Sequence, residues 1–365
     1  MRKQYLLTIM AALTLACSGP VNRSLKENDG TLFYTADDFN KVGKIDMHYH
    51  FNTTDSSILQ LLREDNFRVL DIVDDRPFGL PMNELQKIAL YLHGTFPDKI
   101  SFASTFSVRY WNETDWENLT VSYLDTCVSK GAIAVKIWKN IGMDLRDKNG
   151  RFIMVDDIRL DTILDFIASK NITLIGHNGE PRDCWLPLDS MEVKGNRNYY
   201  SQHPEYYMYL HPEYPSYENQ INARDNMLLK HPNLKFVGCH LGSLEWSLDE
   251  LAKRLDDYPN MAVDVSRMTN LHIHAMENWQ MTRDFFIKYQ DRLIYGTDRS
   301  VSSTDNPDGM KKNIHSSWLR DWKFFTTDEI LSNSEVEGEI KGLKLPATVI
   351  DKLYLKNAEK WITGI

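Results

Sequence analysis

The sequence predicts a single (β/α)8 TIM barrel. Three observations predict it: eight short β-rich runs, amphipathic stretches of helical period between them, and His or Asp side chains where several of the runs end. The runs fall at residues 44–48 (KIDMH), 68–73 (RVLDIV), 100–106 (ISFASTF), 132–138 (AIAVKIW), 172–177 (ITLIGH), 235–240 (KFVGCH), 261–265 (MAVDV) and 292–297 (RLIYGT).

The stretches between the runs repeat their apolar residues at three-or-four spacing, the period of a helix with one buried face. They are SSILQLLRED (56–65), MNELQKIALYL (82–92), VSYLDTCVSK (121–130), DTILDFIASK (161–170), INARDNMLLKH (221–231), SLDELAKRLDDY (247–258) and WQMTRDFFIKYQ (279–290). Asn83, Asp161 and Asp249 come early in these stretches, where an oxygen side chain or negative charge suits the free N–H groups of a first turn. Each connection is long enough for a parallel crossover. The longest, 178–217, carries Trp185, Tyr199, Tyr200, Tyr206, Tyr207, Tyr209 and Tyr214, and loops of that length usually serve as lids or binding loops. Residues 298–365 continue past the eighth run, with an aromatic SSWLRDWKFF and a closing helical stretch, and are expected to pack on the barrel as part of one unit spanning 43–365.

Composition narrows the class. With 42 basic and 51 acidic side chains the 365-residue chain has a formal charge of −9, and its Lys and Arg are scattered among acids, which argues against nucleic-acid binding. At 42% hydrophobic and 25% charged residues it is also unlike a multi-span membrane protein. The start differs from the rest. Arg2 and Lys3 precede an apolar run that ends at Ala16 and Cys17, the form of an export signal. TLAC at 14–17 resembles the bacterial lipobox, with Thr14 where that pattern usually has Leu. The expectation is an exported cell-envelope protein, periplasmic or surface-facing, lipidated at Cys17, with 18–42 as linker; its contact with the membrane would be this anchor alone. A cleaved signal with an incidental Cys17 is the alternative. The other cysteines, Cys127, Cys184 and Cys239, are too widely and irregularly spaced for a disulfide framework or a metal knuckle. Cys127 reads as core, Cys184 as a loop thiol, and Cys239 as pointing away from the face that His240 uses.

The ends of the runs carry the chemistry. His48 and His50 stand two apart on an extended segment, so both imidazoles point to one side. His177 ends the fifth run, His240 the sixth, and Asp298 follows the eighth. Parallel strands would deliver all five to the C-terminal rim, where active sites of such barrels sit. Imidazoles with a carboxylate suit zinc best and leave a position for water. A second pair, His272 and His274, reads as structural.

These segments resemble the metal-dependent amidohydrolase superfamily, in its amidohydrolase-related branch, also called amidohydrolase 2. The resemblance runs from about residue 43 to the end and rests on IDMHYH (45–50), LIGHNGEP (174–181), RDNMLLKHPNLKFVGCHLGS (224–243), RLIYGTD (292–298) and NAEKWITGI (357–365). It implies that His48, His50, His177 and Asp298 are metal ligands, that Asp298 also shuttles protons, and that His240 polarises a substrate carbonyl or binds a second metal. Lys136 falls where binuclear relatives carry a bridging carboxylated lysine; a plain pocket lysine and a structural one remain equally open. The implied cofactor is Zn2+, one or two per chain. The implied activity is hydrolysis of an ester, lactone or amide of a small molecule by metal-activated water, with decarboxylation of an unsaturated or aromatic acid as the alternative, and a non-catalytic ligand-binding envelope lipoprotein as a reading of another class. Trp138, Glu180, Arg182, Arg267 and Arg299, on loops leaving the same rim, are the candidate substrate contacts. No feature of the sequence bears on oligomeric state.

Overall fold

The computed structural model describes residues 31–365. The export signal, Cys17 and the linker as far as residue 30 lie outside the described residues. Each of the eight runs forms a strand: β1 Lys44–Asn52, β2 Phe67–Ile72, β3 Ile100–Thr105, β4 Ala134–Ile137, β5 Thr173–Gly176, β6 Phe236–Gly238, β7 Met261–Asp264 and β8 Leu293–Ile294. A ninth, β9 Arg299–Ser302, prolongs the path of β8 and pairs with the upper half of β1, Tyr49 opposite Arg299. All neighbours are parallel, in the order β8-β7-β6-β5-β4-β3-β2-β1-β9. Backbone bonds from Met47 N to Tyr295 O (3.0 Å) and from Asp298 N to His48 O (2.8 Å) join β8 to β1, so the sheet closes on itself.

Alternation along the strands divides the core in two. Ile45, Met47, Leu70, Ile72, Ala103, Ala134, Ile175, Val237, Ala262 and Ile294 meet inside the barrel, where Trp361 and Ile362 of the C-terminal segment join them. Phe67, Val69, Val135, Leu174, Phe236 and Val263 face outward into the larger cluster formed with the helices. The C-terminal segment is held there by Asn357 Nδ2 on Leu293 O (2.7 Å) and Arg68 Nη1 on Ile365 O (2.9 Å). No helix among the described residues is long and apolar enough to cross a membrane.

The seven amphipathic stretches form helices, among them Met82–Thr95, Trp116–Ser129, Ile158–Ser169, Tyr217–Lys230 and Leu248–Asp257. Asp161 and Asp249 occupy first turns, but the caps stand outside them: Asp157 and Ser247 accept the N–H groups of Arg159 and Glu250. Ser247→Ala removes such a cap without touching the core. It is expected to cost about 1 kcal/mol of unfolding free energy in a urea titration.

Two expectations are corrected. Residues 31–42, read as the end of a linker, are packed down: Phe33, Tyr34, Phe39 and Val42 are buried, Tyr34 donates its hydroxyl to Asp351 (2.7 Å), and Trp322 Nε1 donates to Thr35 O (2.9 Å). Burying three aromatic rings outweighs the polar composition that made the stretch look like linker. The connection 178–217 is likewise not a bare loop. It holds four 3₁₀ turns and the helix Lys194–Gln202, with a small core of its own made by Cys184, Met191, Tyr200, Tyr207 and Met208 against Met143. Cys184 is the centre of that core, its thiol pushed up to about 12 chiefly by burial, so it is packing and not a reactive loop thiol.

Lys44 is the unusual resident of the outer core. Its ammonium donates to Phe39 O and to Val42 O (2.8 Å) and sits 4.5 Å from the Phe39 ring centre and 4.7 Å from that of Phe67. Burial pushes its pKa down to about 7. Between that value and the unfolded value of about 10.4, the unfolded chain binds the extra proton, so this group makes stability rise with pH across that window. Urea titrations at pH 7 and pH 9.5 are expected to show wild type gaining on Lys44→Met as pH rises. Parallel pH dependence of the two proteins would contradict it.

Candidate metal centre

The centre is built where β1 meets the ends of β7 and β8. Pairing between β1 and β2 shifts register between Asp46 and Tyr49, and this irregularity carries the rim end of β1 into contact with β9. Gly296 permits the close approach of the opposite chain: a Cβ there would lie 2.9 Å from His48 Cβ. His48 and His50 are buried, and each has one ring nitrogen committed. His48 Nδ1 is 2.7 Å from Asp264 Oδ2, and His50 Nδ1 is 2.7 Å from Ile72 O. Both partners only accept, so Nδ1 carries a proton in each ring and Nε2 is the nitrogen turned toward the cavity. Burial acts to lower the His48 pKa, but its anionic neighbours, Asp298 and Asp264 among them, outweigh it and hold the ring well above the ordinary imidazole value. The two Nε2 atoms converge on one oxygen, Asp298 Oδ1, at 3.2 and 3.3 Å.

Asp298 reaches that point from a left-handed backbone, φ 56°, a conformation that Asp tolerates better than most residues. Its neighbour Thr297 is tied down by N–H and hydroxyl bonds to Asp46 (3.0 and 2.6 Å), and Asp46 also accepts His48 N (3.2 Å) and Trp318 Nε1 (3.1 Å). Burial acts to raise the Asp298 pKa; His48, His240 and His50 outweigh it and hold the group well below the usual carboxylate range.

His240 arrives differently from the other histidines. β6 stops at Gly238, and His240 and Leu241 both take left-handed conformations, φ 56° and 57°. Strain of this kind persists where the surroundings over-determine it. Here His240 N donates to Asp264 Oδ1 (2.8 Å), and Nδ1 lies 2.8 Å from Ser266 Oγ, which itself donates to Asp264 Oδ1 (2.6 Å). The serine hydroxyl is thereby an acceptor for Nδ1–H, and Nε2 is left with a lone pair. That atom is buried without a hydrogen-bond partner and stands 3.6 Å from Asp298 Oδ2. Burial keeps the ring neutral by pushing its pKa down to about 3. His177 packs edge-on against it, ring centres 4.6 Å apart, and burial and then His240 hold its pKa well below the ordinary value.

The turn at His240 corrects the expected placement of Cys239. With the alternation broken one residue later, Cys239 belongs to the interior of the barrel, and its Sγ lies 2.7 Å from Lys136 Nζ. Lys136 is itself buried and lines the cavity of about 250 Å3 shared by His48, His50, His177 and Asp298.

The donor set fits a divalent cation. His48, His50 and Asp298 bring ligand atoms within 4.8 Å of one another, each imidazole turns Nε2 toward the shared point, and the Nδ1 atoms are anchored as metal-binding histidines require. His177 stands on the same cavity wall, outside that tight group. A second cluster, His48, His240 and Asp264, is equally tight, but its Asp264 is engaged by His48, His240 and Ser266 and serves to position the rings.

The remaining candidates are dispersed. Trp138 lines the metal cavity and also a neighbouring one of about 360 Å3 under the 178–217 segment, where Glu180, ion-paired with Lys139, joins it. Arg182 is turned away from both; its guanidinium lies 3.9 Å from the Trp246 ring centre. Arg267 and Arg299 line a third cavity beside the centre. His272 and His274 lie on the helix Met268–Glu277, and His274 Nε2 bonds Glu245 O (2.8 Å). The residues that sequence reasoning missed are Asp264, Ser266, Asp46 and the Arg76–Asp74 ion pair (2.6 Å) at the cavity mouth. Asp264 had a signal, an acid inside the apolar run MAVDV, as did Asp46 within IDMHYH.

Comparison with known proteins identifies the family and the fold. The sequence description of a family named amidohydrolase matches residues 112–362. Among solved structures, one of an amidohydrolase II superposes with a TM-score of 0.51 at 15% identity, covering 88% of this chain and 100% of the other. A 2,6-dihydroxybenzoate decarboxylase from Rhizobium superposes with a TM-score of 0.50 at 15% identity, covering 88% of this chain and 98% of the other. At that identity the likeness establishes the fold. No curated protein matches the chain.

Proposed function

Since the chain belongs to the amidohydrolase family, we propose that it is a metal-dependent hydrolase acting on an ester, lactone or amide of a small molecule. The observation that carries this reading is the convergence of two anchored imidazole nitrogens on a single carboxylate oxygen, His48 and His50 on Asp298. These three residues, with His177, would hold a divalent metal, zinc by the chemistry of the donors. Such a metal supplies Lewis acidity and makes water a nucleophile near neutral pH.

The chain's own groups do the rest. Asp298, an anion exposed to the cavity, accepts the proton of the attacking water and passes it to the leaving group. His240 presents an acceptor nitrogen, so it takes up a proton or a second metal first and hydrogen-bonds a developing oxyanion only in its protonated form. Asp264 fixes both rings. Trp138 and Phe78, packed edge to face (5.9 Å), offer a surface for an apolar or ring-bearing part of the substrate, and Glu180 contributes a polar group in the adjoining space. The same reading places the enzyme outside the cytoplasm, held to the cell envelope by lipid on Cys17.

The test is metal content with activity. Full-length protein purified without chelator or nickel is expected to carry one zinc per chain by elemental mass spectrometry, to lose it in His50→Ala, and to hydrolyse a member of a panel of lactones, aryl esters and acyl amides. A second equivalent lost in Lys136→Ala would mark a binuclear centre. No metal after reconstitution overturns the proposal, and carbon dioxide release from aromatic acids without hydrolysis replaces it by decarboxylation.

A further inference from the structure

We infer that a second site, separate from the metal centre, binds a small dianion such as a phosphate or a short dicarboxylate. The site is the cavity of about 220 Å3 between the start of the helix Met268–Glu277 and the helix Pro307–Thr326. Strand alternation separates it from the metal cavity: Asp298 and Ser300 face the one, Thr297 and Arg299 the other.

Three guanidiniums line it, those of Arg267, Arg299 and Arg320, against one carboxylate, Asp321. They are poorly neutralised. Arg267 makes no side-chain hydrogen bond or close ion pair, its Nε is buried without a partner, and only the Glu245 carboxylate, outside the cavity, opposes its charge at longer range. Arg320 Nε is also unpartnered; its Nη2 reaches only the Ser317 hydroxyl (3.2 Å), and Asp321 stands 3.8 Å from Nε. Arg299 spends one nitrogen on Asn313 Oδ1 (2.7 Å). Asp321 accepts the Tyr295 hydroxyl (2.9 Å) on Oδ2, while its Oδ1 accepts no hydrogen bond and meets only Arg320 Nε at 3.8 Å. The cavity therefore carries an excess of positive charge with donors to spare.

A further observation points to an occupant. Asn270 is 6% exposed, lines this cavity, and its side chain makes no hydrogen bond. Its amide is thus free to donate to a ligand that accepts N–H bonds. Asn270 stands in the first turn of a ten-residue helix, where free backbone N–H groups favour the same charge. Planar guanidinium forks match the paired oxygens of carboxylate and phosphate alike.

The experiment is calorimetric titration of the full-length protein with inorganic phosphate and, separately, with succinate, before and after chelator treatment. Saturable binding of either at about one per chain and with millimolar or better affinity is expected, retained after metal removal and weakened about tenfold or more in both Arg320→Gln and Asn270→Leu. A preference for phosphate or for succinate assigns the class of occupant. Binding that disappears with the metal would place the anion at the metal centre and overturn the inference, leaving the proposed activity untouched. So would an absence of saturable binding up to about 10 mM, or affinity unchanged in Asn270→Leu, the variant that leaves every charge in place.

Discussion

Replacing Asp298 with Asn is expected to lower kcat on a responsive lactone or ester by about a thousandfold, within the range that a positioned proton-transfer group contributes. Asn is the informative substitution because it keeps the shape of the side chain and tolerates the left-handed backbone at φ 56° as well as Asp does, so no new strain is introduced. What it removes is the anion on which His48 and His50 converge. Metal affinity falls as well, so the assay is run at saturating zinc with bound metal counted in the same sample. If the variant is fully metallated and still inactive, the loss lies in proton transfer. A kcat within about threefold of wild type under those conditions would rule Asp298 out as the proton-handling group.

The second large effect is expected at a residue that touches neither substrate nor the proposed metal. Asp264 is fully buried, and its two oxygens serve His48 Nδ1, the backbone and, through Ser266, the side chain of His240. Burial acts to raise its pKa, but His48, by charge and hydrogen bond, and then His240 and the Ser266 hydroxyl outweigh it and hold the carboxyl below the usual range, so it is an anion throughout the working pH range. Asp264→Ala leaves His48 free to turn and a backbone N–H unsatisfied. Removing one partner from a buried charged cluster costs about 3 to 5 kcal/mol, and loss of a group that orients a metal-binding histidine costs about 10- to 100-fold in metal affinity. Urea unfolding and competition with a chelating dye measure the two separately. Unchanged metal affinity would show that Asp264 is part of the core and no more.

Much of the barrel was legible because its signals are short-range. Val69, Leu174 and Val263 sit in runs whose apolar residues need no knowledge of the partner strand to be recognised, and the spacing of Leu248, Leu251 and Leu255 marks a helix face on its own. The ninth strand escaped notice because Arg299–Ser302 is polar and becomes a strand only by pairing with Tyr49–Asn52, some 250 positions earlier in the chain. Residues 31–42 were misread for a related reason: Phe33, Tyr34 and Phe39 find their burial against the helix Pro307–Thr326 and its neighbours, which nothing nearby in the sequence announces.

The site divides in the same way. His48, His50, His177, His240 and Asp298 were readable because parallel strands carry whatever ends them to one rim, a consequence of connectivity alone. Their roles were not. Which nitrogen each ring presents is decided by Asp264, Ile72 O and Ser266, and the direction His240 faces is decided by a backbone reversal that also turns Cys239 inward toward Lys136. The three arginines of the second cavity come from a rim loop, the start of β9 and a late helix, and only packing makes them neighbours. Helical period, the alternation of strand and helix, and the residue types at strand ends follow from neighbours a few positions apart, and so they can be read along the chain. The tautomers, the cavities and the grouping of charges rest on contacts between distant parts of the chain, whose energies depend on distance and burial, and these appear only once it is folded.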